Sequence, residues 1–346
     1  MEGEPSMAIR DARVKWTYVT RTIPERGRAS IGPHAGRPRA GDLVVARVGR
    51  IGEHGAAEDP YGRRMRLCQG DLLVGAYGNR YATDFYEGYV PEGPDTHLLT
   101  AGGLIGTVAA AHDAHERPTE LEVIGRLVDG AGRPLSLEDF GRAFPTAAGL
   151  PHAHVVAVLG TSMNAGKTTT AAAIVRAFTR AGFPVGAGKV TGSGSGKDRW
   201  SYADAGAHAL ADFLDFGMAS TFGYPLDRLG TTMLAIRDAL ILDGSEVVVL
   251  EIADGLLQSE TAWLLERLPG FVDAVVFAAT DALSARSGVE ILRAAGAPVR
   301  AVSGLLTRSP LAVREAEAAT GLPVVKPSVL ADGAAVDLLA PEPALA

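Results

Sequence analysis

The chain is poor in cysteine and aromatic residues, and it contains no block of basic residues. Cys68 is the only cysteine among 346 residues, which excludes an internal disulfide and a cysteine-rich zinc site. Lysine and arginine number 33 against 40 acidic residues, so the net charge is −7. A nucleic-acid-binding surface normally carries a basic stripe, and we therefore expect no nucleic-acid partner.

Long hydrophobic runs are also missing. No apolar run approaches the roughly 20 residues that a helix needs to cross a bilayer, so we expect no membrane partner. The first nine residues, Met1–Ile9, are acidic and lack the cationic start and apolar core of a secretory signal. These features predict a cytoplasmic protein.

The pattern of apolar and turn residues in the sequence changes near residue 150. Before it, short apolar runs are separated by turns rich in Gly, Pro and Asp. This pattern predicts a β-rich domain over residues 1–150, either a barrel or a sandwich, with Pro145–Pro151 as the linker. The clearest strand candidates are Leu43–Val48, Leu72–Tyr77, Leu104–Val108 and Leu121–Ile124.

The second region, residues 151–346, alternates strand and helix patterns. Alternation of this kind predicts an α/β fold, a three-layer arrangement with a mainly parallel sheet between helices. The tail after about Ala331 is rich in Ala and Pro, and we expect it to be poorly packed. The predicted strands are 155–159, 184–189, 246–252, 272–279, 299–303 and 323–326, and the predicted helices are 168–181, 201–214, 231–242, 259–267, 284–295 and 309–320.

A phosphate-binding loop follows the first strand of this region. The strand leads into a small-residue loop and then a helix, which is the context that a P-loop needs. Lys167 is expected to reach the β- and γ-phosphates, and the Thr168 hydroxyl to ligate Mg²⁺. The common motif has four residues between its glycines, whereas five lie between Gly160 and Gly166 here. The predicted nucleotide-binding residues are Asn164, Ala165, Gly166, Lys167, Thr168 and Thr169.

Further charged residues follow the later strands. Glu251 comes directly after the apolar run Val247–Leu250, at the edge where ligands of parallel sheets collect. We expect it to hold or orient the metal ion beside Thr168. Lys189 ends the second strand, where a lysine suits a substrate or the transferred phosphoryl group. Asp204 is predicted at the start of a helix, either as a capping residue or as a second metal contact.

These motifs resemble the dethiobiotin synthetase family of P-loop enzymes. The superfamily to which that family belongs also includes the cobyrinate amide ligases. The five-residue gap between Gly160 and Gly166 matches that family, and the similar motifs span about residues 155–330. The resemblance implies that Lys189 and Ser193 bind substrate and that Asp204 and Glu251 bind metal. It also suggests a homodimer. The loop residues Ser162–Asn164 and the N-terminal domain of about 150 residues depart from the family pattern, so the substrate does not carry over.

The sequence therefore predicts an enzyme that uses ATP and Mg²⁺. Its leading function is phosphoryl transfer to a small-molecule substrate, through a hydroxyl, carboxylate or carbamate, with Lys167 and Lys189 as the catalytic residues. One alternative is a ligase or cyclo-ligase that forms an acyl phosphate, as dethiobiotin synthetase does. The other is a nucleotide-driven switch or assembly ATPase that responds to a protein partner.

Overall fold

The computed structural model describes residues 7–8, 14–24, 30–145 and 149–340. The chain divides into two compact units. The first contains the described residues up to Ala143, together with Gly192–Lys197 and Phe213–Gly223; the second contains the rest. Part of the predicted linker, residues 146–148, lies outside the described residues, as does the acidic start Met1–Ile9 apart from one short strand.

The first unit is built from short strands. It also contains single 3-10 turns at Tyr18–Thr20, Leu137–Phe140 and Phe213–Phe216. The strands are β1 (Met7–Ala8), β2 (Val14–Trp16), β3 (Ser30–Gly32), β4 (Leu43–Val48), β5 (Ala56–Glu58), β6 (Arg64–Arg66), β7 (Leu72–Tyr77), β8 (Tyr86–Tyr89), β9 (Thr96–Leu98), β10 (Leu104–Ala111) and β11 (Glu120–Val128).

Five of these strands form a closed ring. β11 pairs with β4, β4 with β7, β7 with β10, β10 with β9, and β9 pairs back with β11. A ring of pairings is a small barrel, which leaves no free edge among its members. Its interior is filled by alternate residues of the strands, among them Val44, Ala46, Leu73, Leu98 and Ile105.

The second unit alternates strands and helices. The Pro at the first position of α6 and the Gly at its end are typical helix boundaries. Its strands are β12 (His154–Gly160), β13 (Val185–Lys189), β14 (Ala209–Asp212), β15 (Val247–Glu251), β16 (Ala274–Ala278) and β17 (Val299–Ser303). Its helices are α1 (Lys167–Arg180), α2 (Gly196–Asp204), α3 (Leu226–Leu242), α4 (Ser259–Leu265), α5 (Ala282–Ala294), α6 (Pro310–Thr320), α7 (Pro327–Val329) and α8 (Ala335–Leu339).

The six strands of this unit form one parallel sheet in the order β14-β13-β15-β12-β16-β17. Helix α1 packs on one face, where Ile174 and Phe178 join Val156 and Val249 in the core. Helices α3 and α5 cover the other face. There a Cβ atom on Gly188 would lie 2.7 Å from Ile236 of α3. The predicted fold class, a mainly parallel α/β P-loop sheet beside a β-rich unit, is confirmed.

Three local predictions are wrong. The segment predicted as a helix over 201–214 contains the end of α2 and then the edge strand β14. The strand predicted at 323–326 is only an isolated bridge between Val302 and Val324. The tail after Ala331 is packed as far as it is described, because Ala335 and Leu339 join the core beside α1. The residues beyond 340 lie outside the described part of the chain.

Within residues 14–24, 30–145 and 149–340, no helix is both long enough and apolar enough to cross a bilayer.

Candidate active site

The turn between β12 and α1, predicted as the phosphate-binding loop, contains two residues with left-handed backbone conformations. Asn164 has a φ of 60° and Gly166 a φ of 99°. Asparagine tolerates such left-handed values and glycine favours them. A Cβ atom at Gly160 would lie 2.8 Å from Cγ of Lys167, so this glycine makes room for the lysine stem.

The first turn of α1 offers backbone donors to an anion. Thr170 N–H donates to the Gly166 carbonyl at 2.9 Å. The N–H groups of Lys167, Thr168 and Thr169 come before it, and a helix contains no acceptor for such groups. Together with the positive end of the helix dipole, these donors suit phosphate oxygens.

The remaining loop residues have different surroundings. The side chains of Asn164 and Thr169 are exposed, whereas Ala165 is fully buried. The Ala165 carbonyl accepts a hydrogen bond from Leu305 N–H at 3.0 Å, and a Cβ atom at Gly304 would lie 2.4 Å from the same oxygen. The segment after β17 therefore packs against the backbone of the loop at Ala165.

Lys167 lies over the loop and is almost entirely buried. Its Nζ donates to the Ser162 carbonyl at 2.7 Å. Burial lowers the pKa of Lys167 below its usual range, and the carboxylates of Glu251 and Asp254 oppose that shift. A phosphate group would give this amine a charged partner in place of one carbonyl oxygen.

The last residue of each of three adjacent strands is charged. Lys189 at the end of β13 is in register with Asp212 of β14 on one side and with Glu251 of β15 on the other. Both acids are buried. Because the strands are parallel, all three residues lie at the same edge of the sheet as the loop that follows β12.

Glu251 contacts the start of α1. One carboxylate oxygen lies 3.3 Å from the Thr168 hydroxyl, and the other accepts a hydrogen bond from the Tyr202 hydroxyl. Burial raises the pKa of Glu251 above its ordinary value, although the nearby Lys189 opposes this. The sequence-based pairing of Thr168 with Glu251 is thus a direct contact in the structure.

Asp198 is the second acid beside Thr168. Its carboxylate lies 3.2 Å from the Thr168 hydroxyl and forms an ion pair with Lys189. Asp204, predicted for this place, is instead an exposed residue at the end of α2. The prediction that Asp204 begins a helix is wrong because α2 starts earlier, at Gly196, within the glycine-rich loop.

Lys189 is surrounded by acidic groups. Burial alone lowers its pKa, but the carboxylates of Asp198 and Glu251 outweigh burial and raise it above the usual value. The amine is therefore held as a cation at the edge of the sheet. Ser193, its predicted partner in substrate binding, belongs to the first unit, where it forms a bridge with Ser220.

The oxygen atoms around Thr168 suit a magnesium ion. The Thr168 hydroxyl is in contact with two carboxylates, those of Asp198 and Glu251. Hard oxygen donors of this type are the ones that Mg²⁺ prefers, with phosphate and water oxygens completing its shell. Among the described residues, no group of three or more His, Cys, Asp or Glu side chains forms a complete metal site by itself.

Several residues of the site were not predicted from the sequence. Asp198 had a detectable signal, since it is an acid two residues after the glycine-rich loop Gly192–Gly196 that leads into a helix. Tyr202 follows it one helical turn later, on the same face. Gly304 and the Ser162 carbonyl had no such signal, because they act through backbone contacts between segments far apart in the chain.

No protein-family model and no curated protein sequence matches this chain. Among solved structures, the 54 kDa protein of the signal recognition particle from Aeropyrum pernix, in complex with GDP, is 17% identical with a TM-score of 0.37. The alignment covers 57% of this chain and 48% of that one. The signal recognition particle receptor FtsY from Elizabethkingia anophelis is also 17% identical, with a TM-score of 0.31 and coverage of 54% and 56%. This chain thus spans about half the length of both, and such TM-scores assign no function.

Proposed function

We propose that the second unit binds a nucleoside triphosphate, ATP in the first instance, together with Mg²⁺, and transfers its γ-phosphoryl group to a small molecule. The observation that carries this proposal is the position of Lys189. It is a second lysine at the sheet edge, in register with Glu251, which itself contacts Thr168 of the phosphate-binding loop. A second cation beside the acids that would hold the metal ion suits the negative charge of a transferred phosphoryl group.

Each residue has a defined part in the proposed reaction. Lys167 and the first N–H groups of α1 hold the β- and γ-phosphates. Thr168, Asp198 and Glu251 would hold Mg²⁺, which would neutralise charge on the phosphate oxygens. Lys189 stabilises the negative charge that spreads over the transferred phosphoryl group. Glu251 is in turn oriented by the Tyr202 hydroxyl.

Nucleotide binding would exchange contacts within the site. Lys167 would release the Ser162 carbonyl in favour of phosphate, and Lys189 would share its charge between Asp198 and the γ-phosphoryl group. Both exchanges replace a bond inside the protein with a charge-assisted bond to the ligand. Asp198, which already contacts the Thr168 hydroxyl, would then be free to bind the metal ion beside Thr168.

The test is a steady-state assay of ADP release across a panel of metabolites. The proposal predicts strong stimulation by one compound. In Lys189→Ala, that stimulation should fall at least tenfold while the affinity for ATP stays within about threefold. An ATP affinity that collapses in this variant would contradict the role given to Lys189. Stimulation by a protein partner rather than by a metabolite would favour the switch or assembly ATPase instead.

A further inference from the structure

A buried acid beside the two lysines has no part in the function described so far. Asp254 follows β15 by three residues, and only 8% of its surface is exposed. Among the described residues, no donor forms a hydrogen bond with its carboxylate. Most buried polar groups are hydrogen-bonded within the protein, so a nearly buried carboxylate without a protein donor is uncommon. Its oxygens are available to a ligand that supplies a donor.

The backbone on both sides fixes the position of Asp254. The N–H of Ala253 donates to the Thr191 hydroxyl at 2.9 Å, and the Ala253 carbonyl accepts from the Thr261 hydroxyl at 3.4 Å. On the other side, a Cβ atom at Gly255 would lie 2.4 Å from the Thr161 carbonyl, so this turn lies against the start of the phosphate-binding loop. Asp254 itself has a φ of 64°.

This backbone conformation is unfavourable for most side chains. Residues held in such sparsely populated regions cluster at functional sites, where the surrounding structure enforces them. Here the two threonines and the close approach of Gly255 provide that enforcement. The surrounding backbone thus holds this carboxylate in one place.

The charges around Asp254 locate it in the phosphoryl-transfer region. Burial raises the pKa of Asp254 to about 6, while Lys167 and then Lys189 oppose that shift, and Glu260 and Glu251 add to it. The carboxylate therefore lies within the field of both lysines. Its pKa remains low enough for most of the group to be ionised at neutral pH and able to accept a proton.

We propose that Asp254 binds the phosphoryl acceptor and that the acceptor reacts through a hydroxyl group, not through a carboxylate or a carbamate. This inference rests on the proposed function and narrows its substrate class. The reacting oxygen of a carboxylate or carbamate carries negative charge and no proton, so Asp254 would repel it. A hydroxyl supplies the missing hydrogen-bond donor.

The proposed reaction transfers the γ-phosphoryl group to the acceptor oxygen and the hydroxyl proton to Asp254. The acceptor oxygen forms a bond to the γ-phosphorus as its proton moves to the Asp254 carboxylate. The bond between the γ-phosphorus and the β,γ-bridging oxygen breaks, and its electron pair leaves with the nucleoside diphosphate. Asp254 later returns the proton to solvent. Protein kinases use an aspartate in the same way on their substrate hydroxyl.

The test compares the wild type with Asp254→Asn. Asparagine tolerates the positive φ of this position, so the backbone conformation is retained. Asp238→Asn is the matched control, because Asp238 is also a buried acid, on α3, and pairs with Arg237. Three quantities are measured: the affinity for a non-hydrolysable ATP analogue with Mg²⁺, ADP release with and without a metabolite panel, and trapping of the product by hydroxylamine.

We expect Asp254→Asn to bind the analogue within about threefold of the wild type but to lose roughly hundredfold in ADP release, with water or with a metabolite as acceptor. Asp238→Asn should retain its turnover.

The stimulating compounds should be alcohols or sugars, and hydroxylamine should trap no product. A hydroxamate would reveal an acyl phosphate and overturn the inference while leaving phosphoryl transfer intact. Unchanged turnover in Asp254→Asn would also overturn it. Failure of the wild type to bind or hydrolyse nucleotide would instead refute the proposed function.

Discussion

At the scale of single residues, the proposed chemistry depends on which acid assists Thr168. Asp198 and Asp204 lie on the same short helix, but only Asp198 is in contact with the Thr168 hydroxyl and with Lys189. The six residues that separate them are nearly two helical turns. Asp204 therefore offers a natural comparison, with the same chemical group on the same element in an exposed position.

The corresponding prediction concerns the requirement for magnesium. Asp198→Asn should raise the Mg²⁺ concentration for half-maximal activity about tenfold or more, because one charged oxygen donor is lost, and tenfold is about 1.4 kcal/mol. Asp204→Asn should change it by less than about twofold. Magnesium titrations of both variants at saturating ATP measure this. Equal shifts in the two variants would contradict the position assigned to Asp198.

The residues of the site were predicted in part from the sequence. Lys167, Thr168, Lys189 and Glu251 were identified because each belongs to a local pattern, either the loop motif or a charge at a strand end. Asp254 also follows a strand end, but nothing in the sequence shows that it is buried without a donor. The position of this residue is set in part by Thr191, which binds Ala253 from 62 residues away in the chain.

At the scale of elements, the phosphate-binding loop depends on the turn after β17. Gly304 has a φ of 96°, and a Cβ atom there would lie 2.4 Å from the Ala165 carbonyl and 2.8 Å from Ala279 N. Backbone atoms on two sides leave no room for a side chain. The loop and this turn are therefore packed closely against each other at the edge of the sheet.

Gly304→Ala should consequently impair both stability and nucleotide binding. With a φ of 96° and a ψ of −160°, Gly304 has a backbone conformation that is essentially restricted to glycine and costs other residues about 1–3 kcal/mol, and the clash with Ala165 adds to it. Nucleotide affinity should fall at least tenfold because the loop must move. Gly321→Ala is the control, since Gly321 also has a positive φ, of 66°, but has no atom near the added Cβ. It should show the conformational cost alone in urea unfolding, with nucleotide affinity unchanged. Loss of affinity in both variants would show that general destabilisation is the cause.

The elements of the second unit were mostly predictable. Strong apolar runs and helix boundary residues indicated β12, β13, β15, β16 and β17 and most helices. The edge strand β14 was missed because its Ala-rich sequence has no β-branched residues, so it is a strand through pairing with β13 rather than through intrinsic preference. At 323–326, Val325 N–H donates to Val302 O, but a proline begins the segment and limits the ladder.

At the scale of the whole molecule, the first unit is not continuous in sequence. Gly192–Lys197 and Phe213–Gly223 belong to it although they come from the second half of the chain. Within this unit, the Glu58 carboxylate accepts hydrogen bonds from Gly196 N–H at 2.8 Å and from the Ser195 hydroxyl at 3.2 Å. A single boundary near residue 150 could not predict such contacts, because they join segments more than 130 residues apart.

The first unit also contains a partly buried histidine that should make the protein sensitive to acid. His54 is stacked on Phe85, and its Nε2 lies 3.0 Å from the Leu99 carbonyl. Burial lowers the pKa of His54 to about 4, a shift that the Leu99 hydrogen bond opposes and the charge of Arg80 assists. Since the unfolded chain takes up the proton more readily, stability is complete above about pH 6.5 and is lost as pH falls towards 4.

We therefore predict that His54→Gln flattens this pH dependence. The full linkage is about 3 kcal/mol between pH 6.5 and 4, and part of it should disappear from urea unfolding at pH 7, 6 and 5. His34, His97 and His154, whose pKa values are also lowered by burial, remain in the variant, so the change in slope is the quantity to compare. The exposed His152→Gln is the control. An unchanged slope in His54→Gln would show that folding does not lower the pKa of this histidine and would contradict the prediction.

The most direct test of the central claim is calorimetry of the wild type and Lys167→Ala with Mg²⁺ and either ATP or GTP. The proposed site predicts saturable binding of a triphosphate by the wild type, with a loss of at least tenfold, about 1.4 kcal/mol, in the variant. The absence of binding heat with every nucleotide, or equal affinity in the two proteins, would contradict the claim that the turn between β12 and α1 holds phosphate.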